Sequence, residues 1–198
     1  MSGRGPRQIS VSKSSIPAGY TEVAYIQSDG AAYINTGVNP NSDTEVRADI
    51  AHDLSGETEW IFGARNGANV GAFGFLTYKG AYRADYSAAT TTLDEKPTGR
   101  FEIGMDRSSI KINGKVVAVS AESSFVSRYP LYMFANNNAG AAEGFSITKI
   151  YRAEIYGSNN LVRELIPCRR NSDNVLGMYD IAKGTFYTNA GSGAFNAG

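Results

Sequence analysis

Hydrolysis of a glycosidic bond needs two carboxylates about 5–10 Å apart on either side of it, and acids stand at strand spacing in two places in this chain. Glu57 and Glu59 lie two residues apart, immediately before Trp60-Ile61-Phe62, so on a strand they share one face beside an aromatic platform. They also follow Leu54-Ser55-Gly56, a turn signal, and an exposed acidic strand start accounts for them as well. Glu45 and Asp49 share a face too, but Arg47 stands between them on it, which is the pattern of a solvated ion ladder. Among nucleophiles, Cys168 precedes Arg169 and Arg170, whose guanidiniums would lower a thiol's pKa at close range. Yet Val162, Glu164, Ile166 and Cys168 fall on one alternating face, so the cysteine reads as a small apolar side chain near a strand end. The one histidine, His52, follows the Val46–Ile50 run beside Asp53, where a surface position is expected. No G-x-S-x-G elbow occurs, and Gly63-Ala64-Arg65-Asn66-Gly67-Ala68 lacks the fingerprint of a dinucleotide or phosphate loop. The expectation is a protein that is not an enzyme, with no catalytic residue, cofactor or metal.

Two segments suit binding better. Asn136-Asn137-Asn138-Ala139-Gly140 presents three amides, which can pair with sugar hydroxyls or lend oxygens to calcium, or serve a turn that needs positive φ. Tyr82-Arg83-Ala84-Asp85-Tyr86 puts both tyrosines on one strand face and Arg83 with Asp85 on the other. Rings beside polar groups stack on sugars, and rings between sheets simply pack. The candidate glycan-binding residues are therefore Asn136, Asn137, Asn138, Tyr82, Arg83, Asp85 and Tyr86. Trp60 is the only tryptophan, which argues against an extended aromatic platform.

The elements that must position these residues are strands. In 198 residues the chain has 42% hydrophobic and 19% charged residues, a globular composition that fits one domain with a sizeable core. Equal numbers of acids and bases leave no net charge, so no global field draws it to nucleic acid or to an acidic membrane. Twenty-two glycines and twelve tyrosines, with abundant Asn, Ser, Thr and Ala, indicate many turns between strands. Val46, Ala48 and Ile50 alternate with Glu45, Arg47 and Asp49, and Phe101, Ile103 and Met105 with Arg100, Glu102 and Asp106. Asn113-Gly114 between alternating runs marks a hairpin with a type I′ turn. Further strands are expected over 21–27, 32–36, 59–64, 72–78, 82–86, 131–135, 145–156, 161–168, 176–179 and 185–188, about a dozen in all. The glycine-rich stretch near the C-terminus carries one apolar plug, Phe195, expected to fold back on the core. So many strands without helices must close into a barrel or stack as two sheets, and the two-sheet antiparallel jelly-roll sandwich is favoured.

Residues 1–15 contain Arg4, Arg7 and Lys13 with no acid, and scattered apolar residues that cannot make a core. They lack the apolar stretch of a secretory signal, and no run in the chain is apolar and long enough to span a bilayer. This reads as a short, extended, basic N-terminal arm, with 16–198 as the domain. Ile9 and Val11 could lay a strand along a partner's sheet edge.

Several stretches together resemble a concanavalin A-like, laminin-G-like jelly-roll domain. They are Ile16-Pro17-Ala18-Gly19-Tyr20-Thr21-Glu22-Val23-Ala24-Tyr25-Ile26, Ala32-Tyr33-Ile34-Asn35-Thr36-Gly37, Phe62-Gly63-Ala64-Arg65-Asn66, Leu161-Val162-Arg163-Glu164-Leu165-Ile166-Pro167-Cys168-Arg169-Arg170, Gly177-Met178-Tyr179-Asp180 and Phe186-Tyr187-Thr188-Asn189-Ala190-Gly191. The resemblance covers 16–198 and is to the version found in structural and tail-associated proteins of bacteriophages and prophages. It implies two curved antiparallel sheets, exposure on a virion and carbohydrate binding. The paired-carboxylate motif of the catalytic branch is absent, as are the acidic calcium-ligand clusters of plant-lectin relatives. The expected function is thus a non-enzymatic virion structural protein, a capsid decoration or tail-associated module made in the host cytoplasm. Its arm, through Arg4, Arg7, Ile9, Val11 and Lys13, would hold it to other virion proteins, and as a homo-oligomer it would display a lectin-like domain to cell-surface or mucus glycans. A purely structural decoration protein without ligand is the alternative, and a glycan hydrolase using Glu57 and Glu59 a third.

Overall fold

Alternating side chains sort onto two faces, and in the structure, a computed structural model, they do so in nineteen strands with no helix among the described residues, 16–68, 70–119 and 124–198. The arm residues Arg4, Arg7, Ile9, Val11 and Lys13 lie outside those residues. In chain order the first ten strands are β1 (Tyr20–Glu22), β2 (Ile26–Ser28), β3 (Ile34–Asn35), β4 (Thr44–Ala51), β5 (Glu59–Arg65), β6 (Ala72–Tyr78), β7 (Ala81–Ser87), β8 (Ala89–Thr92), β9 (Arg100–Met105) and β10 (Ile110–Ile112). They are followed by β11 (Lys115–Ala118), β12 (Tyr132–Met133), β13 (Asn136–Asn138), β14 (Ala141–Glu143), β15 (Lys149–Gly157), β16 (Asn160–Arg170), β17 (Leu176–Asp180), β18 (Thr185–Thr188) and β19 (Phe195–Ala197).

They form two packed sheets, a jelly-roll-like β-sandwich. The larger runs β11-β10-β9-β4-β15-β16-β17-β18, with β1 on β16 and β2 between β15 and β19. The smaller runs β14-β13-β5-β6-β7-β8, with β12 joining β5 to β3. Pairing is antiparallel except between β13 and β5, which run parallel. The core lies between the sheets, where Val46, Ala48, Ile50, Ile103 and Ile155 of the larger meet Phe62, Phe73, Phe75 and Tyr82 of the smaller. Burial of this apolar surface is the main stabilising term.

The larger sheet turns charges outward. Arg47 binds Glu45 at 2.6 Å, Arg100 binds Asp49 at 2.6 Å, and Arg152 bridges Glu154 and Glu164 at 2.9 and 2.6 Å. Asn113-Gly114 turns the β10–β11 hairpin with φ of 50° and 75°. Phe195 is buried against Phe134, ring centroids 5.1 Å apart, as its strand zips onto β2.

Candidate functional site

The outer face of the smaller sheet, turned away from the core, is where polar side chains gather. A register shift in β5 between Trp60 and Phe62 lets Ile61 and Phe62 both enter the core and leaves Trp60 facing outward. Re-aiming one side chain is what a bulge does. The indole lies flat on two glycines that pair across β5 and β6, Gly63 and Gly74. A Cβ on Gly63 would stand 2.4 Å from Trp60 Cε3, and one on Gly74 2.7 Å from Cζ3. Only glycine leaves room for the ring there.

Register then lays a row of groups across this face: Glu143 opposite Asn136, Asn136 opposite Gly63, Gly63 opposite Gly74, and Gly74 opposite Asp85. At one end Asn136 Nδ2 and Asn138 Nδ2 donate to the two Glu143 carboxylate oxygens at 3.0 Å each, and Arg65 pairs with Oε1. The Arg65 guanidinium also covers the indole, 5.6 Å from its centroid. At the other end Arg83 grips Asp85 with two bonds of 2.8 Å and lies 4.8 Å from the ring of Tyr78, with Lys79 at 5.1 Å. Among the described residues, two buried atoms on this face make no hydrogen bond, Asn136 Oδ1 and Arg65 Nε. Buried polar atoms are ordinarily satisfied, and these two are closed off from solvent by the side chains around them. Phe134, buried, has φ of 70° just before the asparagines. A left-handed aromatic residue is strained, and here the strain turns the chain into its parallel run along β5.

The candidate binding residues are divided by this arrangement. Asn136, Asn138, Arg83 and Asp85 come together with Trp60 on the outer face. Asn137 does not: its amide donates to Pro130 O and accepts from Gly140 N, both at 2.9 Å. The asparagines form a strand, and the positive φ falls on Ala139 and Gly140 beside it. Tyr82 and Tyr86 are core residues, 0% and 2% exposed, and cannot stack on a sugar. Their hydroxyls donate to backbone carbonyls, Tyr82 to His52 and Pro97, Tyr86 to Ser42, and burial pushes the Tyr82 phenol well above its ordinary pKa. Arg65 and Glu143 are not among the candidates expected from the sequence, and Trp60 is expected there only beside an acid pair. Glu143 was reachable as the hairpin partner of Asn136 across Ala139-Gly140, and Gly63 and Gly74 as glycines inside apolar strands, which mark close approach.

The chemical candidates are held in structural roles. His52 is buried, not at the surface, because strand parity carries it inward two residues beyond Ile50. Its Nδ1 meets Thr148 Oγ1 at 2.9 Å, and its Nε2 stands 3.7 Å from Glu59, which also accepts from Ser55 Oγ at 2.6 Å. Burial lowers its pKa, against the opposing pull of Glu59 and Asp53. Glu57 is exposed. Cys168 is fully buried and its thiol is pushed up to about 11, chiefly by burial. Arg170 is turned to Asp173 at 2.6 Å and Arg169 to solvent.

Compared with known protein families the chain matches no family model, and comparison with curated proteins gives no match. The fold and this face define a two-sheet β-sandwich with a polar patch on one sheet, held by ion pairs and hydrogen bonds.

Proposed function

We propose that the chain is a non-catalytic virion surface module that adheres to glycans through the outer face of its smaller sheet. The observation that carries this reading is the row of fixed polar groups on that face, Glu143 holding Arg65, Asn136 and Asn138 at one end and Asp85 holding Arg83 beside the exposed ring of Tyr78 at the other. Sugar recognition combines an apolar ring face with a few fixed amide, carboxylate and guanidinium groups, and here these are pre-set by Glu143 and Asp85. The virion part rests on the resemblance of residues 16–198 to jelly-roll domains of bacteriophage structural proteins, with residues 1–15 as the anchor. The absence of catalysis rests on the engagement of Glu45, Asp49 and Glu59 with neighbours.

The test is a glycan array probed with the whole chain, followed by the Asn136→Ala and Arg65→Ala variants. Retention lost in both variants while thermal unfolding stays cooperative supports the reading, and absence of retention on every bacterial and mucus glycan sinks it. Immunogold labelling of particles tests the virion part, which fails if no particle is labelled. One observation favours the purely structural alternative: Trp60 is only 3% exposed, so the face is already filled by its own side chains.

A further inference from the structure

A concavity lies at the rim of the sandwich, between the segment after β3, the first residues of β16 and the β17–β18 turn, with a volume of about 460 Å³. That is within the range of small-molecule sites, roughly 300–1,000 Å³. Among the described residues its lining carries two cations, Arg163 and Lys183, and no acid, in a chain of zero net charge. Arg163 is 9% exposed and firmly placed. Its Nε donates to Thr36 O at 3.0 Å and its Nη1 to Val162 O at 2.7 Å, and the fully buried Asp180 stands 3.4 Å from Nε. Its Nη2 makes no hydrogen bond to a described residue and lies 3.7 Å from where a Cβ on Gly37 would be. Gly37, whose φ of +66° favours glycine, lines the cleft beside that end of the guanidinium.

Asp180 balances Arg163, so Lys183 supplies the surplus positive charge. A fixed guanidinium edge with donors to spare fits a carboxylate. Val38 and Leu161, the latter 39% exposed, give the cleft an apolar wall, and Asn39 adds an amide at its rim. We propose that this cleft binds a carboxylate-bearing sugar of the uronic acid class, with the carboxylate on Arg163 and Lys183 and the ring against Val38 and Leu161. The site is separate from the Trp60 face, so it stands or falls independently of the function proposed above.

The experiment is an NMR titration of the whole chain with sodium glucuronate, glucose and sodium acetate at matched ionic strength, following the Arg163 Nε–H and Gly37 amide signals. Saturable shifts are expected with glucuronate, smaller ones with acetate and none with glucose. Lys183 is exposed, so Lys183→Glu leaves folding intact and weakens glucuronate binding roughly tenfold, the effect of reversing one charge beside a bound anion. Arg163→Gln abolishes binding where it folds, and Lys183→Glu decides the matter where it does not. Equal shifts with glucose, no shift with glucuronate, or affinity unchanged in Lys183→Glu would overturn the proposal. Acetate binding as tightly as glucuronate would remove the sugar from it.

Discussion

Adding a single methyl group at Gly74 tests whether the indole of Trp60 truly rests on the sheet. In Gly74→Ala the new Cβ would stand 2.6 Å from the carbonyl oxygen of Phe62, 2.7 Å from Trp60 Cζ3 and 2.9 Å from the Cα of Gly63. Two of these three neighbours are backbone, so relief must come from moving the ring or spreading β5 from β6. Overpacking of this kind costs about 1–3 kcal/mol. For a domain of this size each kcal/mol lowers the unfolding midpoint by about 2–4 °C, so a drop of roughly 2–12 °C is expected. Trp60 is the only tryptophan, so its emission reports this face alone and should shift to the red as the ring lifts. Gly56→Ala is the control, since a Cβ there meets nothing within 4 Å. A Gly74→Ala protein with the midpoint and emission maximum of the parent would refute the packing described for this face.

Three further outcomes follow from the same geometry. Glu143→Gln keeps the shape of the acid that gathers Arg65, Asn136 and Asn138 but removes its charge. Because that pair is partly exposed, stability should fall by no more than about 1 kcal/mol, measured by urea unfolding, while glycan retention drops. His52 titrates below its ordinary value in the folded chain, so the native state binds fewer protons than the unfolded state on acidification. Stability is then complete above the ordinary imidazole pKa and declines as pH falls below it, toward the lowered folded value; urea midpoints across that range should fall less steeply in His52→Asn. Cys168, with its thiol at about 11 and fully buried, should resist a disulfide reagent at mildly alkaline pH until denaturant is added, and fast labelling of the native chain would contradict its placement.

Periodicity in the sequence resolved most strands because each carries its own parity. Ala72–Tyr78 and Thr185–Thr188 have the expected bounds, and the Asn113-Gly114 hairpin is where its turn chemistry puts it. The expected strand over 21–27 is broken into β1 and β2 because Val23 N bonds Pro167 O and Ala24 N bonds Gly198 O. The one expected over 145–156 starts only at Lys149. Parity separates Tyr82 from Arg83 but does not say which of the two faces the other sheet. Both faces of β7 are lined by large side chains, so the tyrosines matched a binding stripe as well as a core stripe. Asn136 to Asn138 carry the composition of a turn, and their strand exists because β5 supplies the missing hydrogen bonds from a distant part of the chain. The outward turn of Trp60 depends on a bulge, and a one-residue irregularity leaves almost no trace in an alternating apolar run.

The pairing of β19 with β2 bears on how the sandwich would carry a load. Ile26 lies opposite Ala197 and Ser28 opposite Phe195, with Gly198 bonded back to Ala24, so the two strands run antiparallel, and the chain leading into β2 is held separately by β1 on β16. Tension applied at Gly198 would peel this seam one bond at a time, as a zipper opens. A strand pair pulled in shear must instead break all its bonds together. Strain borne through the front end alone and a ligand held on a face would bypass the seam, leaving the C-terminal strand slack and the core closed.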